Sequence, residues 1–303
     1  MSTVSRESRA AGEALEFPLS PAASAALARA ALEEDKAFDD VTTLAVVSTS
    51  ARASAAMVAR TAGVIAGLPL AAAVFEVIDP ATHCHALASD GTHVRAGDAI
   101  LEIEGTARAV LSAERVALNF AQRLSGIATL TARYVDAVRG TRAKILDTRK
   151  TMPLFRALEK YAVRCGGGMN HRADLAAAVL IKDNHLATLG GDIALAIRRA
   201  REHAELGMIV EVECDTREQV ARALDAGADA ILLDNMSPRE MTSCVELVGG
   251  AAIVEASGGI SLESVRAVAE TGVDWISVGA LTHSVPALDL ALDFRPADAN
   301  FQA

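Results

Sequence analysis

The spacing of apolar and polar residues changes character near Ala143. Before it, short extended runs and helices are mixed. Pro21 to Lys36 has helical spacing, with Ser20 placed as N-cap and Pro21 at the first helical position. The acidic stretch from Glu33 to Asp40 leads into Val41, Thr42, Thr43, Leu44, Val46 and Val47, a β-rich run that predicts a strand. Met57 to Arg60 predicts another. Gly63 to Gly67 and Pro69 mark a turn, with a helix following to Ile78. Asp90-Gly91 and Gly97-Asp98 bracket short extended segments, and Leu101 to Gly105 alternates apolar with acidic residues like a half-buried strand. Ser112 is placed to cap the next helix, whose stripe is Val116, Phe120, Leu124, Ile127, Tyr134 and Val138. Gly140 can end it.

After Ala143, short aliphatic runs recur with helical segments between them. They are Lys144–Leu146, Ala178–Ile181, Met208–Val212, Ala230–Leu233, Ala252–Val254 and Trp275–Val278. Near-continuous apolar strands alternating with helices predict a parallel sheet covered by helices. Six such runs favour a barrel over an open sheet. The chain therefore divides into an N-terminal α+β domain over 1–111, whose first twenty residues or so form a loose arm, and an α/β barrel over 112–294. The barrel is entered by a linking helix over 112–139, and 295–303 is a tail.

Composition supports an aliphatic interior: 51% of residues are hydrophobic and only 3% aromatic. The four cysteines (84, 165, 214, 244) form no C-x-x-C pair and read as reduced thiols of a cytoplasmic protein. The N-terminal stretch has no apolar core of a secretory signal, and no uncharged apolar stretch is long enough to span a membrane. A formal net charge of −10 argues against nucleic acid as a partner. Against that background, residues 142–185 hold nine Lys/Arg and four Asp/Glu. So local a reversal of sign suggests a site for a small, strongly anionic ligand.

Polar residues or glycine end each apolar run: Asp147 to Lys150, Lys182 to Asn184, Glu211 with Glu213, Asp234-Asn235, Glu255 with Ser257 to Gly259, and Gly279. In a barrel these ends converge on one mouth. Ser257-Gly258-Gly259, before a helix starting near Ser261, and the turn at Gly279-Ala280 offer backbone N–H groups to a phosphate. Glu213 and Asp234, on neighbouring strands, can hold ribose hydroxyls and Mg²⁺, act in acid–base chemistry, or form salt bridges to the many arginines. No G-x-G-x-x-G follows these strands, and neither G-x-S-x-G nor H-E-x-x-H occurs. A dinucleotide fold, a serine hydrolase and a dedicated zinc site are thus not indicated.

These motifs resemble the quinolinate phosphoribosyltransferases. DTRKT (147–151), KYAVRCGGGMNHR (160–172), LIKDNH (180–185), LLDNM (232–236), EASGGI (255–260) and VGALTHS (278–284) carry the resemblance. In the N-terminal half, DVTT (40–43), GVIAG (63–67) and ERVALNFAQRLSGIATLT (114–131) extend it. The resemblance implies transfer of phosphoribose from phosphoribosyl pyrophosphate to quinolinate with release of CO₂ and pyrophosphate, assisted by Mg²⁺, in de novo NAD biosynthesis. It implies an N-terminal α+β sandwich-like domain and an incomplete, seven-stranded α/β barrel. It also implies a homodimer in which the N-terminal domain of one subunit covers the barrel mouth of the other. By resemblance, Arg149, His171 and Arg172 hold the quinolinate carboxylates, with Arg115 reaching in from the second subunit. Lys150, Lys182 and His283 meet phosphate or pyrophosphate groups, and Arg156 supports the pocket. Glu213 and Asp234 face the ribose and metal, and Ser257, Gly258, Gly259 and Gly279 cradle the 5′-phosphate. A nicotinate-using phosphoribosyltransferase and a non-catalytic relative are the alternatives. The chain departs from many members at Leu154, where glycine is common, and at Ala173-Asp174, where Leu-Gly is common. Asp174 there adds negative charge close to the His171-Arg172 pair.

Overall fold

The computed structural model describes residues 15–296. Most of the expected arm, and the tail from 297 onward, lie outside the described residues. The first part of the chain runs α1 (Pro21–Glu34), α2 (Val41–Val46), β1 (Arg52–Ala59), β2 (Gly63–Val64), α3 (Leu68–Ile78), β3 (His83–Ala86), β4 (His93–Val94) and β5 (Ala99–Thr106). A 31-residue helix, α4 (Ala107–Ala137), leads into the second part. That part runs β6 (Lys144–Leu146), α5 (Arg156–Cys165), β7 (Val179–Ile181), α6 (Asp183–Ala187), α7 (Ile193–His203), β8 (Val210–Cys214), α8 (Arg217–Asp225) and β9 (Ala230–Asp234). It continues through α9 (Pro238–Val248), β10 (Ile253–Ser257), α10 (Val265–Glu270), β11 (Trp275–Ser277) and α11 (Ala280–His283) to β12 (Leu290–Pro296).

All six aliphatic runs form strands, in one parallel sheet ordered β6-β11-β10-β9-β8-β7. The seventh strand expected from the family is reduced to a single parallel bridge, Met169 to Leu146, on the outer side of β6. The sheet is an open α/β barrel whose strand ends share one face.

Three local expectations are corrected. Val41–Val46 is helical, not extended. Asp40 Oδ1 accepts the amides of Thr42 (3.1 Å) and Thr43 (3.0 Å), while Arg108 donates to the carbonyls of Val47 (2.9 Å) and Leu44 (3.1 Å). Caps at both ends outweigh the β-branched composition. Secondly, α4 starts at Ala107, with Thr106 as its N-cap. Ser112 instead donates to Asp40 Oδ2 at 2.9 Å, fastening α2 to α4. Thirdly, residues 290–296 belong neither to the barrel nor to a tail. They return as β12 to the N-terminal sheet, ordered β12-β1-β5-β3, and pair antiparallel with β1 over Ala53–Ala59. Leu290 is buried, and Leu292 and Phe294 pack against the N-terminal core.

Two aliphatic cores result, one under the N-terminal sheet and one around the barrel, with α4 lining both. Phe75, Leu32 and Leu124 are fully buried, each worth about 1.5–3 kcal/mol of transfer free energy. On α4, a Cβ at Gly126 would collide with the carbonyl of Pro286, so this glycine lets the segment before β12 cross the helix. The amide of Leu288 bonds to the carbonyl of Gln122 there, at 3.0 Å.

Candidate active site

The loop after β6 is built on a buried ion pair. Asp147, just past the strand, is fully buried and bonded to Lys160 of α5. Its carboxylate also accepts from Asn170 Nδ2 (2.6 Å) and the amide of His171 (2.9 Å), and Lys160 Nζ donates to the carbonyl of His171 at 3.0 Å. Together these bonds tie the Gly-Gly-Gly-Met-Asn-His-Arg turn, α5 and the end of β6 to one another. Burial raises the Asp147 carboxyl and lowers the Lys160 ammonium, and their mutual attraction opposes both shifts.

That turn presents His171 and Arg172. His171 Nδ1 accepts the amide of Arg172 at 2.8 Å, which leaves Nε2 to carry the proton. Nε2 faces Glu211 at 3.2 Å and Glu255 at 3.3 Å, on strands β8 and β10. Burial lowers the ring's pKa, the facing carboxylates raise it overall, and the Arg172 amide donated to Nδ1 opposes that rise by favouring the neutral ring. Glu211 is in turn raised by burial and by the charge of Glu255. Glu255 also accepts from Ser277. His171, Glu211 and Glu255 could together contact a cation, and Glu211 Oε1 and Glu255 Oε2 make no hydrogen bond among the described residues.

Arg149 and Arg172 lie close enough for mutual repulsion. Burial first, and the Arg149 charge second, depress the Arg172 guanidinium. Arg172 donates to the carbonyl of Ala178 at 3.0 Å, while the buried Nε of Arg149 finds no acceptor among the described residues. Two half-buried guanidiniums close enough to repel each other suit an anionic ligand. Arg156 bridges two loops, donating to Thr151 Oγ1 (3.0 Å) and the carbonyl of Ala173 (3.2 Å). As expected, the charge of Asp174 acts on Arg172. Its carboxylate accepts the amides of Ala176 (2.9 Å) and Ala177 (3.0 Å) within its own loop.

Lys182, after β7, is paired with Glu213 at the end of β8. Asp234, at the end of β9, accepts from Asn235 Nδ2 at 2.7 Å. Two carboxylates at the ends of adjacent strands suit a cation such as Mg²⁺, which takes one or two carboxylates and completes its shell with water and phosphate oxygens. A Cβ at Gly258 (φ +95°) would collide with Asn235 Oδ1, so only glycine lets these turns nest. The helix after Gly259 begins at Val265, later than expected. Residues 262–264 form a turn, because Ser261 N bonds to Ser264 Oγ at 3.0 Å. The loops after β6 and β11 meet directly: a Cβ at Gly279 would lie 3.1 Å from Lys150 Cδ and 3.0 Å from His283 Nε2. Ser257 pairs in register with Asp234, and His283 is exposed beside Ser284.

Two family profiles match nearly all of the described chain, the quinolinate phosphoribosyl transferase N-terminal domain over 40–125 and its C-terminal domain over 127–293. The chain belongs to the quinolinate phosphoribosyltransferase family. It is 44% identical over 271 residues to the nicotinate-nucleotide pyrophosphorylase [carboxylating] of Mycobacterium leprae, covering 88% of this chain and 95% of that one. A probable nicotinate-nucleotide pyrophosphorylase [carboxylating] of Bacillus subtilis is 43% identical over 260 residues, covering 86% and 89%. The crystal structure of NadC from Streptococcus pyogenes superposes with a TM-score of 0.88 at 40% identity, over 92% of this chain and 99% of that one.

Within this family fold, the residues picked from sequence fall into three groups. Arg149, His171 and Arg172 form one wall; Lys182, Glu213, Asp234 and Ser257 to Gly259 follow the ends of β7 to β10; Lys150, Gly279 and His283 form a third cluster. Arg115 joins none of these contacts. It is exposed on α4, with Glu114 4.0 Å away. Of the basic residues in 142–185, those outside the site are Arg142, paired with Asp274, Lys144, exposed on β6, and Arg164, 5.6 Å over the Tyr161 ring. Sequence reasoning missed the Asp147–Lys160–Asn170 scaffold and the enclosure of His171 by Glu211 and Glu255. Glu211 and Glu213 alternate with valine in VEVEC, which puts both carboxylates on one face of β8, and that spacing was the available signal.

Proposed function

We propose that this chain transfers phosphoribose from phosphoribosyl pyrophosphate to quinolinate, releasing pyrophosphate and CO₂ and leaving nicotinate mononucleotide. The observation that carries this reading is the buried Nε of Arg149, which has no acceptor among the described residues, on a guanidinium whose charge also acts on Arg172, an arrangement that suits a carboxylate ligand. With His171, the guanidiniums hold the quinolinate carboxylates, and His171 Nδ1, accepting the Arg172 amide, orders the turn that carries Arg172. Lys150, Lys182 and His283 meet phosphate or pyrophosphate oxygens, with Arg156 bracing the loops behind them. Backbone amides at Ser257 to Gly259 and Gly279 cradle the 5′-phosphate.

Glu213 and Asp234 would hold Mg²⁺, which when bound neutralises charge on the pyrophosphate. The bond between C1 of the ribose and the pyrophosphate oxygen breaks, and its electron pair leaves with pyrophosphate. The positive charge left on the ribose is stabilised by the nearby carboxylates. The pyridine nitrogen then bonds to C1. The ring nitrogen, now cationic, stabilises the electron pair left on C2 as the 2-carboxylate departs as CO₂, and a proton then adds to C2 through that pair. No covalent bond to the protein forms. The site is completed across a homodimer, with Arg115 supplied by the second subunit. The exposure of Arg115, held only by a 4.0 Å contact with Glu114, supports this arrangement. No helix among the described residues is long and apolar enough to cross a membrane. The four free thiols support a cytoplasmic setting for the enzyme.

The Arg172→Ala variant tests the carboxylate site. Quinolinate binding, measured by calorimetry, should weaken by about 1.5–3 kcal/mol, roughly ten- to a hundred-fold. An unchanged dissociation constant would remove Arg172 from the site.

A further inference from the structure

A second buried ion pair lies behind the site. Glu159, on α5, has a fully buried side chain. Its carboxylate accepts from Arg123 Nη2 at 2.7 Å and from the amide of Met152 at 3.1 Å. Arg123, on α4, also donates to the carbonyl of Thr282 in α11. Thr282 is fully buried, and its hydroxyl donates to the carbonyl of Lys150 at 2.7 Å. One guanidinium thus joins α4, α5 and α11, and two further bonds reach the loop after β6. That loop carries Lys150 and α11 carries His283, and the two side chains flank Gly279.

Stability alone gives little reason for these charges, because a well-packed apolar pair in such a place is often as stable. An arginine fork gives direction: it has several donors in one plane, and here they engage a carboxylate and a carbonyl at once. We infer that Arg123 and Glu159 are positioning residues that hold Lys150 and His283 at the spacing needed for the pyrophosphate-bearing substrate. The inference rests on the reading that Lys150 and His283 face phosphate groups. Neither Arg123 nor Glu159 needs to touch a substrate.

The test is the double variant Arg123→Met/Glu159→Gln. It buries no unpaired charge, and the introduced glutamine retains a carbonyl oxygen for the Met152 amide. The melting temperature should stay near that of the parent. KM for phosphoribosyl pyrophosphate should rise at least about ten-fold, with the dissociation constant of quinolinate alone within about two-fold, as expected for displaced contact groups. Arg123→Lys keeps the charge and one bond but loses the fork. It should raise the same KM by less, and it serves as the test if the double variant folds poorly. An unchanged KM in either folded variant, or equal loss toward both substrates, overturns the inference. Lys150→Ala separates the two levels. If it leaves KM for phosphoribosyl pyrophosphate unchanged, the assignment of Lys150 fails; if it raises KM and the double variant does not, the positioning role fails.

Discussion

Replacing Lys160 with methionine should loosen the turn that carries His171 and Arg172. Methionine keeps most of the stem and removes the ammonium, which bonds to Asp147 and to the His171 carbonyl. Asp147 would keep only Asn170 and the His171 amide while remaining fully buried. Removing one partner of a buried pair costs about 3–5 kcal/mol. Protonation of Asp147 limits that cost. Burial already raises its carboxyl, and loss of Lys160 removes the charge and hydrogen bond that pull it down. A carboxyl raised in the folded state gives stability that is full below its unfolded pKa and is lost as pH rises through the folded value. The deficit of the variant should therefore be smaller at pH 5 than at pH 8. Trp275, the single tryptophan, lies on β11 in register with Lys144 at the start of β6, so its fluorescence reports on unfolding of the barrel sheet that includes β6. In urea its transition should move down by at least about 1 M at pH 8, and quinolinate binding should weaken. A loss below about 1 kcal/mol, or a larger deficit at pH 5, would refute the reasoning.

Leu154 has φ +64° and a fully exposed side chain. Left-handed backbone costs an L-residue about 1–2 kcal/mol, and glycine returns about 0.5–1 kcal/mol of that through unfolded-chain entropy. Leu154→Gly should thus raise stability by up to about 1 kcal/mol in urea unfolding; a loss of stability would show that Leu154 is not strained. Arg115→Ala and Lys182→Ala should each abolish turnover, and mixed dimers should recover part of it. Demonstrated heterodimers without recovery would count against a shared site.

The barrel was legible because its strands are aliphatic runs of fixed spacing and its site residues follow them directly. Lys150, Lys182, Glu213 and Asp234 could be placed at strand ends by counting along the chain. The return of residues 290–296 to β1 was not legible. Its partner lies more than two hundred residues away, and nothing within LALDFRP names it. The α2 helix was hidden by Val41, Thr42 and Thr43, whose β preference is overruled by the Asp40 cap and by Arg108, 61 to 64 residues distant. Within the site, charge signalled an anion pocket but could not separate ligand contacts from scaffold. Lys160 and Arg149 look alike in sequence. One is consumed by the buried Asp147, while the Nε of the other has no acceptor among the described residues.

The central claim is tested most directly by supplying purified protein with phosphoribosyl pyrophosphate, Mg²⁺ and quinolinate carrying a labelled 2-carboxylate. The account predicts one CO₂ released for each nicotinate mononucleotide formed, with no turnover when nicotinate replaces quinolinate. Product formed from nicotinate, or mononucleotide formed without CO₂, would contradict it.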